Sequence, residues 1–393
     1  MGDLNNNSLA ATLQTAFVQF NPARNYVMIW SLNVQRELAK DTSVMVGYVG
    51  NRGVHMLNRE DDINSVIPTQ TPQGLLMPFG ATPIPACTEA TLSIATGGSC
   101  RVNTNFGDIR GIYWTGDAFY DALEAEVKKR FGSSLNIQGS YTWGKAIDTG
   151  SATVIGDPFQ TSISSPYFFC KSCRRGLSDF NIGQSFSGHV LWNVPSPKNL
   201  GVIGSQSLGG WQLGSIITAQ TGVPFTPIIT GDVLGLGSAD PWAFPSLIPG
   251  CNPIASNFKN NPNGPVYYNT KCFTFPLQGT IPNAQCNQVV DPTTKQNACL
   301  NLFGNVRRNS LVGPKLVDVD FSVYKNFPIR KISETFNVQF RAELFNVFNH
   351  ANFAPPINNV AVLQPVSGIP TAGLLDRTTT TSRQIQFGLK LSF

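Results

Sequence analysis

Charge is scarce in this chain: 13% of residues are Asp, Glu, Lys or Arg, against about 25% in a typical soluble domain. Long apolar runs are missing too. None approaches the ~18–20 residues of a transmembrane helix, which excludes a helical membrane protein. With 36 Gly and 27 Pro, no long helix-friendly stretch survives, so an all-α fold and a coiled coil are also excluded. Histidine is limited to His55, His189 and His350. A hydrolase triad needs Ser, His and an acid brought together, and no G-x-S-x-G elbow accompanies these histidines. No enzyme is expected, and no cofactor or metal. Concentrated basic blocks are absent as well. The net charge of +5 is dispersed, and the densest run, Lys128–Arg130, stands beside Glu124 and Glu126. Nucleic-acid binders gather Lys and Arg on one face or stripe, so no nucleic-acid partner is expected.

What the chain does have is aromatic surface, in 26 Phe, 9 Tyr and 6 Trp, and period-2 alternation. Trp30, Leu32 and Val34 alternate with Ser31, Asn33 and Gln35. Phe336, Val338, Phe340, Ala342 and Leu344 form a second such row, and Ile385, Phe387, Leu389, Leu391 and Phe393 a third. Alternation over this length marks strands. Nine are expected, at 26–37, 42–50, 118–130, 134–146, 180–194, 210–222, 315–327, 334–348 and 382–393. Leu9–Phe20 offers a tenth.

The connections strictly alternate in length. Links near 38–41, 131–133 and 328–333 are short and 195–209 is intermediate, whereas 51–117, 147–179, 223–314 and 349–381 are long. Short turns on one side and long loops on the other are the pattern of an outer-membrane β-barrel. Charge placement agrees. The polar face carries Glu124, Glu126, Lys128, Asp318, Asp320, Arg341, Glu343 and Lys390, and His189 lies on this side. The apolar face is almost free of charge in mid-strand, with exceptions such as Asp121 and Lys325 near the ends. A soluble β-sandwich also alternates, but it needs no sidedness of loops. The expected fold is all-β: a partial, antiparallel up-and-down transmembrane barrel of about nine or ten strands with long extracellular loops, as an arc or with imperfect closure.

All eight cysteines, at 87, 100, 170, 173, 251, 272, 286 and 299, fall in three of the expected outside loops. An even cysteine set points to an oxidising compartment. Strand walls separate neighbouring loops, so local pairing is the simplest choice: Cys87–Cys100, Cys170–Cys173, Cys251–Cys272 and Cys286–Cys299. Loops so rich in Gly, Pro and Asn, without alternating apolar residues, need such staples. Cys170–Cys173 is a C-x-x-C, but it lacks a second C-x-x-C or His for zinc and a thioredoxin-like setting for redox work. Gly235-Leu236-Gly237 has no third glycine or following helix to make a dinucleotide fingerprint. Met1-Gly2 lacks the Ser or Thr at position 6 of a myristoylation start. The opening MGDLNNNSLAATL has no positive segment followed by an apolar one, as a signal peptide would. For an exported protein this leads us to expect the later part of a longer chain, or a truncated gene product.

Several stretches carry a resemblance: WSLNVQREL with VGYVGNRGVHML, LEAEVKKRF with GSYTWGKAID, and GGWQLGSIITAQTGVPF. They continue as GNVRRNSLVGPKLVDVDFSVYKNFPI, VQFRAELFNVFNHANF and RQIQFGLKLSF. In this order they resemble the C-terminal barrel portion, here residues 26–393, of Oar-like TonB-dependent outer-membrane transporters, with residues 1–25 as an extension or partial strand. That family carries a carboxypeptidase-regulatory-like domain before a plug. The resemblance implies a wide barrel, energised uptake of a substrate, and a TonB complex engaged through regions outside residues 1–393. The C-terminal aromatic, Phe393, resembles the signal read by the outer-membrane assembly machinery. Outer-membrane lipid is the other expected partner. Surface adhesion or protein export is the alternative function. On the wall itself, a hairpin centred on Arg330-Lys331 would set Arg341 across from Asp320 or Asp318 on the polar face.

Overall fold

A computed structural model describes residues 15–60, 63–64, 67–71, 74–76, 102, 106, 109–151, 164–165, 168–196, 204, 207–230, 242–255, 264–276, 289–290, 297–298, 303–329, 336–356, 361–363 and 371–393. Met1-Gly2, Cys87, Cys100, Cys286, Cys299, Gly235-Leu236-Gly237 and Arg330-Lys331 lie outside the described residues. Nine long strands form the wall: β1 (Tyr26–Ala39), β2 (Thr42–Glu60), β3 (Ile109–Phe131), β4 (Leu135–Asp148), β5 (Gln184–Asn193), β6 (Trp211–Gln220), β7 (Leu316–Pro328), β8 (Asn337–Phe345) and β9 (Gln384–Ser392). Each pairs antiparallel with the next, in sequence order. Among the described residues β1 and β9 are the edges, so the wall is an open arc.

The short links are what the turn chemistry demands. Ala39 and Thr42 close β1 onto β2 across Lys40-Asp41, with Asp41 at φ 58°. Gly132, at φ 58°, turns β3 into β4, a left-handed position where glycine carries no steric cost. Two strands outrun their sequence expectation. β2 continues to Glu60, through an irregularity at His55 (φ 56°), and β3 begins at Ile109. A membrane crossing takes about 9–11 tilted residues, so this hairpin projects well beyond the bilayer. β4 stops at Asp148, opposite Ala118, and leaves the upper edge of β3 open. Thr15–Val18 pairs there, parallel to Ile109–Ile112. Of the expected tenth strand Leu9–Phe20, residues 9–14 lie outside the described residues, and Thr15–Val18 pairs with the projecting edge of β3 and not with β1.

The wall alternates as expected, and its apolar side is bare. On β9 Ile385, Phe387, Leu389 and Leu391 are each more than half exposed. In water this surface would be an aggregation liability; in a bilayer it is the lipid-facing band. Asp121 and Lys325, the charges expected on this side, are accommodated locally. Asp121 accepts a hydrogen bond from Tyr48 Oη (2.5 Å). Lys325 donates to the carbonyls of Ser207 and Gly209 in the connection before β6, and its ammonium stands 5.0 Å from the Trp211 ring.

The packed core is elsewhere. Phe225, Ile229, Tyr268, Phe273 and Phe275 are at most 1% exposed, and Phe303, Val362, Leu363 and Ala372 join them. Leu75, Phe169, Cys170, Cys173 and Cys251 pack on its outside. All four long loops thus contribute to one cluster. Burying each large side chain is worth about 1.5–3 kcal/mol. Disulfides join Cys170 to Cys173 and Cys251 to Cys272, with Cα atoms 5.3 and 5.5 Å apart, and both border this core. The loops are therefore not held by staples alone, as their composition had led us to expect. Their apolar residues lack strand periodicity, yet they meet in space.

Candidate functional site: the polar wall and its loop cap

The polar side of β7 and β8 carries Asp318, Asp320, Arg341 and Glu343, and the register decides what they touch. The last pair of the hairpin, Pro328 opposite Asn337, centres the link between 332 and 333, two residues beyond Arg330-Lys331. Arg341 therefore lies opposite Tyr324, not Asp320 or Asp318. Its guanidinium stands 5.5 Å from the Tyr324 ring, and Nε donates to Gln339 Oε1 (2.6 Å). Tyr324 Oη donates to Glu343 (2.9 Å). Asp320 serves the rim instead, where its Oδ1 accepts the Asn346 backbone N–H (2.9 Å). Lower on this face Glu126 accepts from Gln138 Nε2 (2.6 Å) and pairs with Lys128 (2.9 Å). His189, opposite Gln138, lines a pocket of about 530 Å³ with Lys128, Arg130, Asn136 and Leu191 near the short-turn end. The wall is polar and hydrogen-bonded, as suits a surface facing water.

Above it, a buried polar network fastens the cap to the wall. Arg308 is 3% exposed and its guanidinium donates to Asp148 Oδ1 (2.7 Å), Asp179 Oδ1 (3.3 Å), Ser151 Oγ and the carbonyls of Asp148 and Arg174. Asn309 takes φ 54°, donates from Nδ2 to Asp179 and to the Leu177 carbonyl, and donates its backbone N–H to Thr226 Oγ1 (2.8 Å). Burial pushes the Asp179 carboxyl above its ordinary range, and Arg308 and Asn309 draw it part of the way back. Gly176 is required where it lies, because a Cβ would stand 2.5 Å from the Arg308 carbonyl oxygen. A second buried pair, Arg174 with Glu60, ties the Lys171–Arg174 turn to the top of β2, and Asn58 Nδ2 adds a bond to Glu60. Burial lowers the Arg174 guanidinium from its ordinary value, with Glu60 opposing.

Asparagines close the exit of β8. Asn346 (φ 48°) donates to the carbonyls of His350 and Thr381. Asn352, wholly buried, accepts the Val317 N–H (2.8 Å) and donates to the Val317 carbonyl (3.0 Å), standing in for a neighbouring strand. Asn181 does the same for the Ala146 N–H (2.7 Å), which is why β5 begins at Gln184 and not at 180. Phe393 is 87% exposed, with its ring 5.3 Å from that of Phe336. The sequence reading missed Arg308, Asn309, Asp148, Asp179 and the rim asparagines. Arg308, Asn309 and Asp148 stand inside GNVRRNSLVGP and GSYTWGKAID, as polar residues at strand ends.

A lipid-facing band, a wetted opposite face and a one-sided loop cap define a wall of an outer-membrane β-barrel. Residues 3–386 match the outer membrane beta barrel domain family, and the chain belongs to it. Its place is the bacterial outer membrane. No curated protein matches the chain. Solved structures to which the chain is similar include two outer-membrane proteins. The outer membrane transporter YddB from Escherichia coli is 8% identical with a TM-score of 0.42, over 96% of this chain and 34% of that one. The FrpB iron transporter from Neisseria meningitidis (F3-3 variant) is 9% identical with a TM-score of 0.37, over 95% of this chain and 32% of that one. The chain thus spans 34% and 32% of the length of these two.

Proposed function

We propose that the chain forms the C-terminal wall of an Oar-like TonB-dependent transporter, with no enzymatic role, and that energised uptake of a substrate proceeds along its polar face. One observation carries this reading. The stretches that resemble the family, GSYTWGKAID, GNVRRNSLVGP and NVFNHANF, supply Asp148, Arg308, Asn309, Asn346 and Asn352, which build the rim where cap meets wall. The family pattern thus coincides with the junction that shapes the mouth. The TonB complex would act through regions outside residues 1–393, and the assembly machinery would engage the end at Phe393.

The experiment compares compounds depleted from the medium by wild-type cells and by cells lacking this gene, each with and without a protonophore. Uptake predicts a compound whose depletion needs both the gene and the proton gradient. Depletion that ignores either one refutes it. The adhesion or export alternative draws on the disulfide-bordered cap; it predicts a changed surface attachment or secreted proteome with unchanged uptake.

A further inference from the structure

The lipid-facing side of the wall carries a group of cations at one height. On β2 the outward positions run Val44, Val46, Tyr48, Gly50 and Arg52, so Arg52 stands ten residues beyond Thr42, the first of the strand. On β4 they run Ile137, Tyr141, Trp143 and Lys145, again ten residues beyond Leu135. A crossing takes about 9–11 residues, which sets both cations at the outer interface. Trp30, Tyr48 and Trp143 lie just below, all more than 40% exposed, as an aromatic girdle does.

The loops add to this group. The guanidinium carbons of Arg52 and Arg175 each lie 4.9 Å from the centroid of the Phe119 ring, so they are within 9.8 Å of one another (twice that distance). Lys171 stands beside them, paired with Asp117 (2.6 Å). The other carboxylate on this face, Asp121, accepts from Tyr48 and lies opposite Lys145 in the ladder, so the two cations without a facing carboxylate are Arg52 and Arg175. Neither Arg52 nor Arg175 pairs with a carboxylate among the described residues, and Arg52, Lys145 and Arg175 are exposed. Like charges gathered on one ring repel unless an anion joins them, and guanidiniums match phosphate oxygens in a bidentate fork.

We propose that Arg52 and Arg175, with Lys145 beside them, bind the phosphates of the outer-leaflet glycolipid. The phosphate belongs to a lipid, because the site faces the bilayer directly above the apolar band and not the lumen.

The test measures binding of the full chain, folded in detergent, to lipid A bearing both phosphates, to the same lipid stripped of them, and to inorganic phosphate. Wild-type protein should retain lipid A and bind the stripped lipid at least tenfold more weakly, a comparison that needs no variant. R52Q/R175Q should weaken lipid A binding about 25-fold, roughly fivefold per cation near an anionic surface, with circular dichroism and heat-modifiable migration unchanged. R52K/R175K, keeping the charge but losing the bidentate fork, should bind between wild type and R52Q/R175Q. Equal binding of the stripped lipid, or full binding by folded R52Q/R175Q, would overturn the site. Displacement of lipid A by millimolar inorganic phosphate would overturn the assignment to a lipid.

Discussion

Replacing Arg308 by Met tests the junction between cap and wall most directly. The guanidinium is 3% exposed and faces two carboxylates that are also buried, Asp148 at 6% and Asp179 at 2%. Methionine fills much of the space but leaves both carboxylates without their counter-charge. Breaking a buried pair in this way costs about 3–5 kcal/mol. The wall keeps its ladder hydrogen bonds, so the loss falls on docking of the cap. At 1.4 kcal/mol per tenfold, the open population rises roughly 150- to 4,000-fold. Limited proteolysis of the loops on folded protein reads this as a faster cleavage rate when closing outpaces cutting. The pH dependence follows from the direction of the Asp179 shift. Burial already holds its folded pKa above the unfolded value, and removing Arg308 raises it further. A raised acid contributes most below its unfolded pKa, and that contribution is lost as pH rises through the folded one. The R308M defect should therefore shrink as pH falls toward 5, and R308M/D148N/D179N should regain resistance at pH 7. Cleavage of R308M at the wild-type rate would refute the reasoning, as would a defect that ignores pH.

Four further outcomes are expected. C251S/C272S opens a link of sequence separation 21; it should cost about 3 kcal/mol in the chain-entropy model, seen as faster loop proteolysis with unchanged heat-modifiable migration of the wall. Phe273→Ala removes a wholly buried ring from the cap core and should cost about 3–5 kcal/mol, measured by the same cleavage rate. Phe387→Arg puts a cation on the lipid face at about 2–4 kcal/mol and should lower the assembled yield in membranes, whereas Gln386→Arg, opposite Glu343, should assemble normally. Tyr324→Phe removes the donor to Glu343 and should lower stability by about 0.5–1.5 kcal/mol in a denaturant titration.

The sequence by itself determined the strands, their order and their sidedness. A wall strand in a bilayer must put apolar atoms on one face and satisfy its backbone by pairing with neighbours. Both demands act through positions two apart and through short turns, so they are written locally. The row from Ile385 to Phe393 shows the face without any coordinates, and the alternation of short and long links shows which ends point outward. Register was less legible. A link centred two residues further along gave Arg341 the ring of Tyr324 in place of Asp320, because hairpin register depends on turn geometry that composition does not specify. The cap was legible only as cysteines. Phe225, Phe273, Phe303 and Leu363 carry no common period, and their contacts join loops separated by whole strands. The same holds for Arg308 with Asp148 and Asp179, at sequence separations of 160 and 129. Such partners are chosen when the wall brings the ends of β4, β5 and β7 to one rim. Only the tertiary structure could decide them, since burial selects a partner by distance in space and leaves no periodic mark along the chain.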